Sequence, residues 1–148
     1  DDVITVLRNE RELWVRELAG IPAGKVDYRY APEKWTIRQV LGHVIDMEMV
    51  FAARALHFAR AVDAPMPGVD QDPAMKASTF ERSPWPDLVA WFDHQRMANI
   101  LMFQGLDEAG WNRSGVASGV PVTVRGLAHI LAGHQRHHAK VIRERYLG

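Results

Sequence analysis

Residues 123–146 read TVRGLAHILAGHQRHHAKVIRERY. At 100° per residue, Leu127, Ile130, Leu131, His134, His138, Val141 and Ile142 share one stripe of a helix, while Arg136, Lys140 and Arg143 point away. His134 and His138 therefore stand where leucine or isoleucine is expected. Residues at i and i+4 lie about 6 Å apart along the axis and on one face. Both imidazoles can then reach a single ion with bonds of about 2.0–2.1 Å. The competing reading is a pair of core histidines bonded to carbonyls or to an aspartate, because buried imidazoles without partners are costly. Basic residues crowd the last turns, which suits the negative end of the helix dipole.

Upstream, three further segments carry helical period. Residues 2–19 place Val3, Val6, Leu7, Leu13, Trp14 and Leu18 near one stripe, and Gly20 and Pro22 end the run. A second helix is expected over 37–62. Thr36 and Gln39 have the spacing of a capping box, Trp35 and Val40 that of a hydrophobic staple, and Pro65 and Pro67 lie beyond the end. A third is expected over 84–105, with Ser83 as N-cap, Pro84 at the first helical position and Gly105 past the end. Its buried side is read as Leu88, Trp91, Phe92, Met97, Ile100 and Leu101.

The stretch 62–83, rich in Pro, Asp and small residues, reads as a long loop with a short turn of helix, and a loop of that length is usually functional. Residues 107–122 read as a second, turn-rich connector, and nothing looks rich in strand. The expected fold is all-α: a four-helix bundle with a long crossover loop between helices two and three, forming a single domain over 1–148.

His43 lies on the edge of helix two's apolar stripe, with Asp46 at i+3 and Met47 at i+4. A second bundle helix thus aims an imidazole and a carboxylate inward. Three neutral imidazoles converging on one point form the protein-ligand set of an open zinc-type site. His57 lies about four turns from His43, too far along the axis to share its ion. His94, His129 and His137 read as surface or flanking residues.

Lys plus Arg and Asp plus Glu each number 18 in 148 residues, so the formal net charge is zero and neither nucleic acid nor an anionic membrane is the expected partner. There are no cysteines, which excludes disulfides, thiolate metal ligands and a cysteine nucleophile and fits a cytoplasmic protein. No apolar run approaches the roughly 18–20 residues of a membrane span, and the opening residues lack the pattern of a signal peptide.

The order Trp35–Thr–Ile–Arg38, an inward His43, the 66–72 stretch MPGVDQD and the distant GHQRHH of 133–138 resembles the DinB/YfiT-like superfamily of metal-binding four-helix bundles, in particular its second DinB-like group. The resemblance implies a divalent metal held by His43, His134 and His138. It matches Asp46 and Glu48 to acidic positions after the helix-two histidine, and Asp70 and Gln71 to a Pro-Gly-x-Asp-Gln loop. Met75 stands where that group often has an aromatic. The wider superfamily includes S-transferases that use low-molecular-weight thiols and metal-dependent hydrolases.

The expected function is therefore a metal-dependent enzyme acting on a small molecule, with the ion at one end of the bundle core activating a thiol or water. Zinc or nickel is expected first, and iron(II) or manganese is compatible with three imidazoles. Asp46, Glu48 and Asp70 are the candidate catalytic carboxylates, for orienting a ligand or accepting a proton. The competing readings are a solvated face residue for Glu48 and a loop-capping residue for Asp70. The alternative function is a metal- or small-ligand-binding bundle without catalysis, its tryptophans and methionines serving an apolar ligand or a homodimer face.

Overall fold

The computed structural model describes residues 2–148. Four long helices form the bundle: α1 (Val3–Ala19), α2 (Ile37–Ala59), α4 (Trp85–Gln104) and α6 (Val124–Val141). The connections hold α3 (Gln71–Ala77), α5 (Glu108–Asn112), and strands β1 (Ser114–Ala117) and β2 (Val120–Thr123). α2 packs against α4 and α6, and α1 packs against the same two. Helices α1 and α2, successive in sequence, thus face each other across the bundle's diagonal.

The ends of the helices follow from local chemistry. The Thr36 hydroxyl accepts from the Gln39 amide at 3.1 Å, and the Gln39 side chain accepts from the Thr36 amide at 3.0 Å, the expected capping box. α2 stops at Ala59 and not at 62. Val62 N donates to His57 O and Ala61 N to Phe58 O, a Schellman closure that forces Ala61 into the left-handed region at φ 58°. Pro84, not Ser83, is the N-cap of α4, and Gly105 closes that helix in the right-handed region. Thr123 caps α6 by accepting from Gly126 N at 2.9 Å. Beyond Val141 the last helix widens into a π turn, Ile142–Tyr146, sealed by Leu147 N to Ile142 O.

The connector at 107–122 is not merely turns. Strands β1 and β2 pair antiparallel, Ala117 opposite Val120, around Ser118 and Gly119, which both have positive φ, 53° and 76°. That is the geometry of a two-residue type I′ loop. Strands of four residues, one of them containing Pro121, are too short and too small-residue-rich to declare an alternation. Met66 of the 60–70 segment adds itself to the far side of β1, its amide donating to Val116 O and its carbonyl accepting from Ser118 N.

The core is split in two. One apolar cluster contains Trp14, Leu18, Ile37, Leu41, Ile45 and Phe92. The other contains Leu7, Phe51, Phe58, Ile100, Phe103 and Leu131. On three of the four long helices the two are separated by polar positions: Glu48 on α2, Arg96 and Asn99 on α4, and Gln135 on α6. This explains why α4 departs from its expected stripe. Arg96 and Asn99 are buried, while Trp91 and Leu101 are 42% and 60% exposed. Leu13 and Ile130, also expected inside, are exposed. A helical wheel gives relative angles, and the neighbours decide which angle is innermost.

Candidate metal centre

The capped start of α2 fixes its phase so that His43 points inward, 6% exposed. The residue before it must be glycine: a Cβ on Gly42 would lie 2.3 Å from the Phe80 ring. That close approach seats the 78–83 segment on α2 beside the histidine. α6 brings His134 and His138 to the same place. The Nε2 atoms of His43 and His134 are 3.1 Å apart. His43 lies with its ring centroid 5.0 Å from each of the other two, and these two are 4.6 Å from one another. One nitrogen from each of the three rings falls within 4.8 Å of the others. Two metal–nitrogen bonds of about 2.05 Å, at angles of roughly 90–110°, set their nitrogens about 2.9–3.4 Å apart. The His43–His134 spacing fits that window, and the donor set is that of a borderline divalent ion.

Charge on these rings is disfavoured. His134 is pushed down to about 3, first by burial and then by His138, His43 and His137 around it. Burial, followed by His43 and His137, lowers His138 to about 4. His43 is lowered by burial, against which the Asp72 carboxylate works. At neutral pH all three imidazoles are neutral and offer lone pairs. The walls are aromatic: Trp35 lies 5.0 Å from His43, and Phe51 is 5.5 Å from His134.

On α2, His43 lies among Leu41, Val44 and Ile45 of the first apolar cluster, and on α6, His134 and His138 stand between Ala132 of the second and Ala139 of the first. The three histidines border a cleft of about 390 Å³, lined by Tyr30, Trp35, Gln71, Asp72, His137 and His138 among others. Tyr146, turned inward by the π turn, donates its hydroxyl hydrogen to the Trp35 carbonyl at 2.7 Å and so fixes this wall. A larger groove of about 540 Å³, between the end of α2 and β1, contains no histidine.

The remaining acidic candidates take different places. Asp46 is half-buried, and desolvation raises its pKa. Glu48, read alternatively as a solvated residue, is 1% exposed and is no surface group. Arg96 donates to its Oε1 and Asn99 to its Oε2. Asp70 is exposed at the N-cap of α3, but its side chain makes no capping bond. Asp72 was not singled out in the sequence. It is the last residue of the 66–72 stretch, next to Gln71, and the fold places it on the lining of the cleft. Of the other histidines, His57 donates to the Ala64 carbonyl at 2.9 Å, and His94, His129 and His137 are exposed.

Four helices enclosing three neutral, converging imidazoles define a helical bundle with a cluster suited to a divalent metal. The chain belongs to the DinB superfamily, whose sequence model matches residues 7–142. YfiT from Bacillus subtilis, described as a probable metal-dependent hydrolase with an unusual four-helix bundle topology, superposes with a TM-score of 0.82 at 16% identity, over 95% of this chain and 84% of that one. The mycothiol-dependent maleylpyruvate isomerase superposes with a TM-score of 0.76 at 15% identity, over 93% of this chain. The chain spans only 58% of the isomerase's length. These likenesses establish the shared fold. No curated protein sequence matches significantly. Among the described residues no helix is long and apolar enough to cross a membrane.

Proposed function

We propose that this protein is a metal-dependent enzyme in which His43, His134 and His138 hold one divalent ion, zinc or nickel first. The observation that carries the reading is the 3.1 Å approach of His43 and His134 nitrogens from helices 91 residues apart in sequence, with His138 beside them. An ion held by three neutral ligands lowers the pKa of a bound thiol or water and so supplies a nucleophile near neutral pH.

The chain's own residues do the rest. Burial keeps the three imidazoles unprotonated and therefore able to bind. Trp35 and Phe51 exclude water from two sides, which strengthens electrostatic interactions inside. The cleft beside His138 admits a small polar substrate, with Gln71 and Asp72 as hydrogen-bonding groups on its rim. Asp46, one turn past His43 and short of solvent, is assigned as the proton acceptor or the orienter of a ligand ring. Asp70 is a secondary candidate at the loop. Glu48 is assigned to the internal polar layer and not to the chemistry.

The reading covers transfer of a low-molecular-weight thiol or hydrolysis of an ester or amide; of the two structural relatives, one is described as a probable metal-dependent hydrolase and the other as a mycothiol-dependent isomerase. The test is metal content of the purified protein, followed by turnover of a panel of small thiols with electrophiles and of esters and amides. Stoichiometric metal with turnover that His134→Ala removes supports it. Stoichiometric metal without turnover of any panel member leaves a non-catalytic metal-binding bundle, and absence of metal ends both readings.

A further inference from the structure

The layer that divides the two apolar clusters is a closed network. Arg96 is completely buried, and Glu48, Asn99 and Gln135 are 1%, 3% and 1% exposed. Arg96 Nε donates to Glu48 Oε1 at 3.0 Å, and its Nη2 donates to the same oxygen. Asn99 Nδ2 donates to Glu48 Oε2 at 2.8 Å and to the Glu48 carbonyl at 3.1 Å. Arg96 Nη1 donates to the Leu7 carbonyl at 3.2 Å and reaches Gln135 Oε1 at 3.5 Å. One guanidinium therefore touches α1, α2 and α6 from α4.

Nothing in the proposed chemistry uses this network, and stability does not explain it. A buried ion pair loses its hydration, and well-packed apolar side chains of similar volume are often as stabilising or more so. The Gln135 Nε2 is moreover buried without a hydrogen-bond partner among the described residues, a further cost. The best attested use of such a layer is to set register. Apolar clusters above and below tolerate sliding because their attraction has no direction, whereas a planar fork of N–H donors on a carboxylate does not.

The metal centre is what needs register. Glu48 follows His43 on α2 by five residues, about 7.5 Å along the axis. Gln135 is the next residue after His134. A slip of one residue along α6 displaces His43 by about 1.5 Å, whereas metal–ligand distances tolerate roughly 0.2 Å. We propose that Arg96, Glu48 and Asn99 are positioning residues that lock α2 against α6 in the register at which His43 meets His134 and His138. This rests on the three-histidine metal reading.

The experiment is Co(II) titration, read by visible ligand-field absorption, alongside thermal unfolding of the metal-free proteins. The matched apolar variant Glu48→Leu/Arg96→Met/Asn99→Leu is expected to unfold at or above the wild-type temperature. It should nevertheless bind Co(II) at least tenfold more weakly, with altered bands. Phe103→Leu, in the distant apolar cluster, should be less stable yet bind Co(II) as the wild type does. Wild-type affinity and superimposable bands in the triple variant overturn the proposal, and so does an equal loss of affinity in Phe103→Leu. If the triple variant does not fold, Arg96→Lys, which keeps the charge and loses the fork, decides by the same criteria. A wild-type protein that takes up no Co(II) refutes the metal reading itself, a result distinct from either of these.

Discussion

The Nε2 atoms of His43 and His134 stand 3.1 Å apart, one on α2 and the other on α6. Neither ring has a carboxylate partner among the hydrogen bonds of the described residues, and His138 completes the triangle. Replacing any of the three by Ala should abolish stoichiometric metal while leaving helical circular dichroism nearly unchanged. Elemental analysis of the three purified variants checks this, and undiminished metal in one of them removes that residue from the ligand set.

Metal should also stabilise the fold. A ligand bound only by the native state adds about 2.7 kcal/mol at a hundredfold excess over its Kd. Thermal unfolding with chelator and with saturating Zn(II) should differ by several degrees. Coincident curves count against a metal site in the bundle core.

Acid should destabilise the metal-free protein through the same residues. The folded-state values of His134 and His138, about 3 and about 4, lie below the ordinary 6.5. Between those limits the unfolded chain binds more protons, so this contribution is complete above pH 6.5 and is lost as pH falls toward 3. Urea midpoints measured with chelator from pH 7.5 to 4.5 should decline, and His134→Gln/His138→Gln should decline less steeply. Parallel curves contradict neutral burial of the pair.

Removing one partner of the internal ion pair should be far worse than removing both. Glu48→Ala leaves the Arg96 guanidinium, 0% exposed, without its counter-charge. A loss of about 3–5 kcal/mol in denaturant unfolding is expected. A change below about 1 kcal/mol would mean that the pair is hydrated in solution.

Ala61 should be improvable. It occupies a left-handed position at the end of α2, at φ 58°, where an L side chain costs about 1–2 kcal/mol and glycine little. Ala61→Gly should raise stability by roughly 1 kcal/mol, a few degrees in Tm for a domain of this size. A lowered Tm shows that the Schellman closure is not the dominant conformation there.

The parts legible in the sequence were those set by local rules. Thr36 and Gln39 cap each other within four residues of chain, and that cap sets the phase that turns His43 inward. The i, i+4 spacing of His134 and His138 needs only a helix. The parts not legible depend on partners distant in sequence. Glu48 and Arg96 each look like surface charges in their own helices, and only their meeting across 48 residues makes burial affordable. Asp72 lines the cleft, and Phe80 lies on Gly42, through contacts between segments that neither residue type announces. The far edge of β1 is paired by Met66, a contact that no pattern within 114–123 encodes.

One consequence concerns folding. Two of the converging imidazoles belong to the last long helix of the chain and the third to α2, 91 residues earlier. Before α6 docks, His43 is the only one of the three rings on the preceding helices. On the proposed three-histidine reading, an ion finds its full ligand set only once α6 has docked on α2.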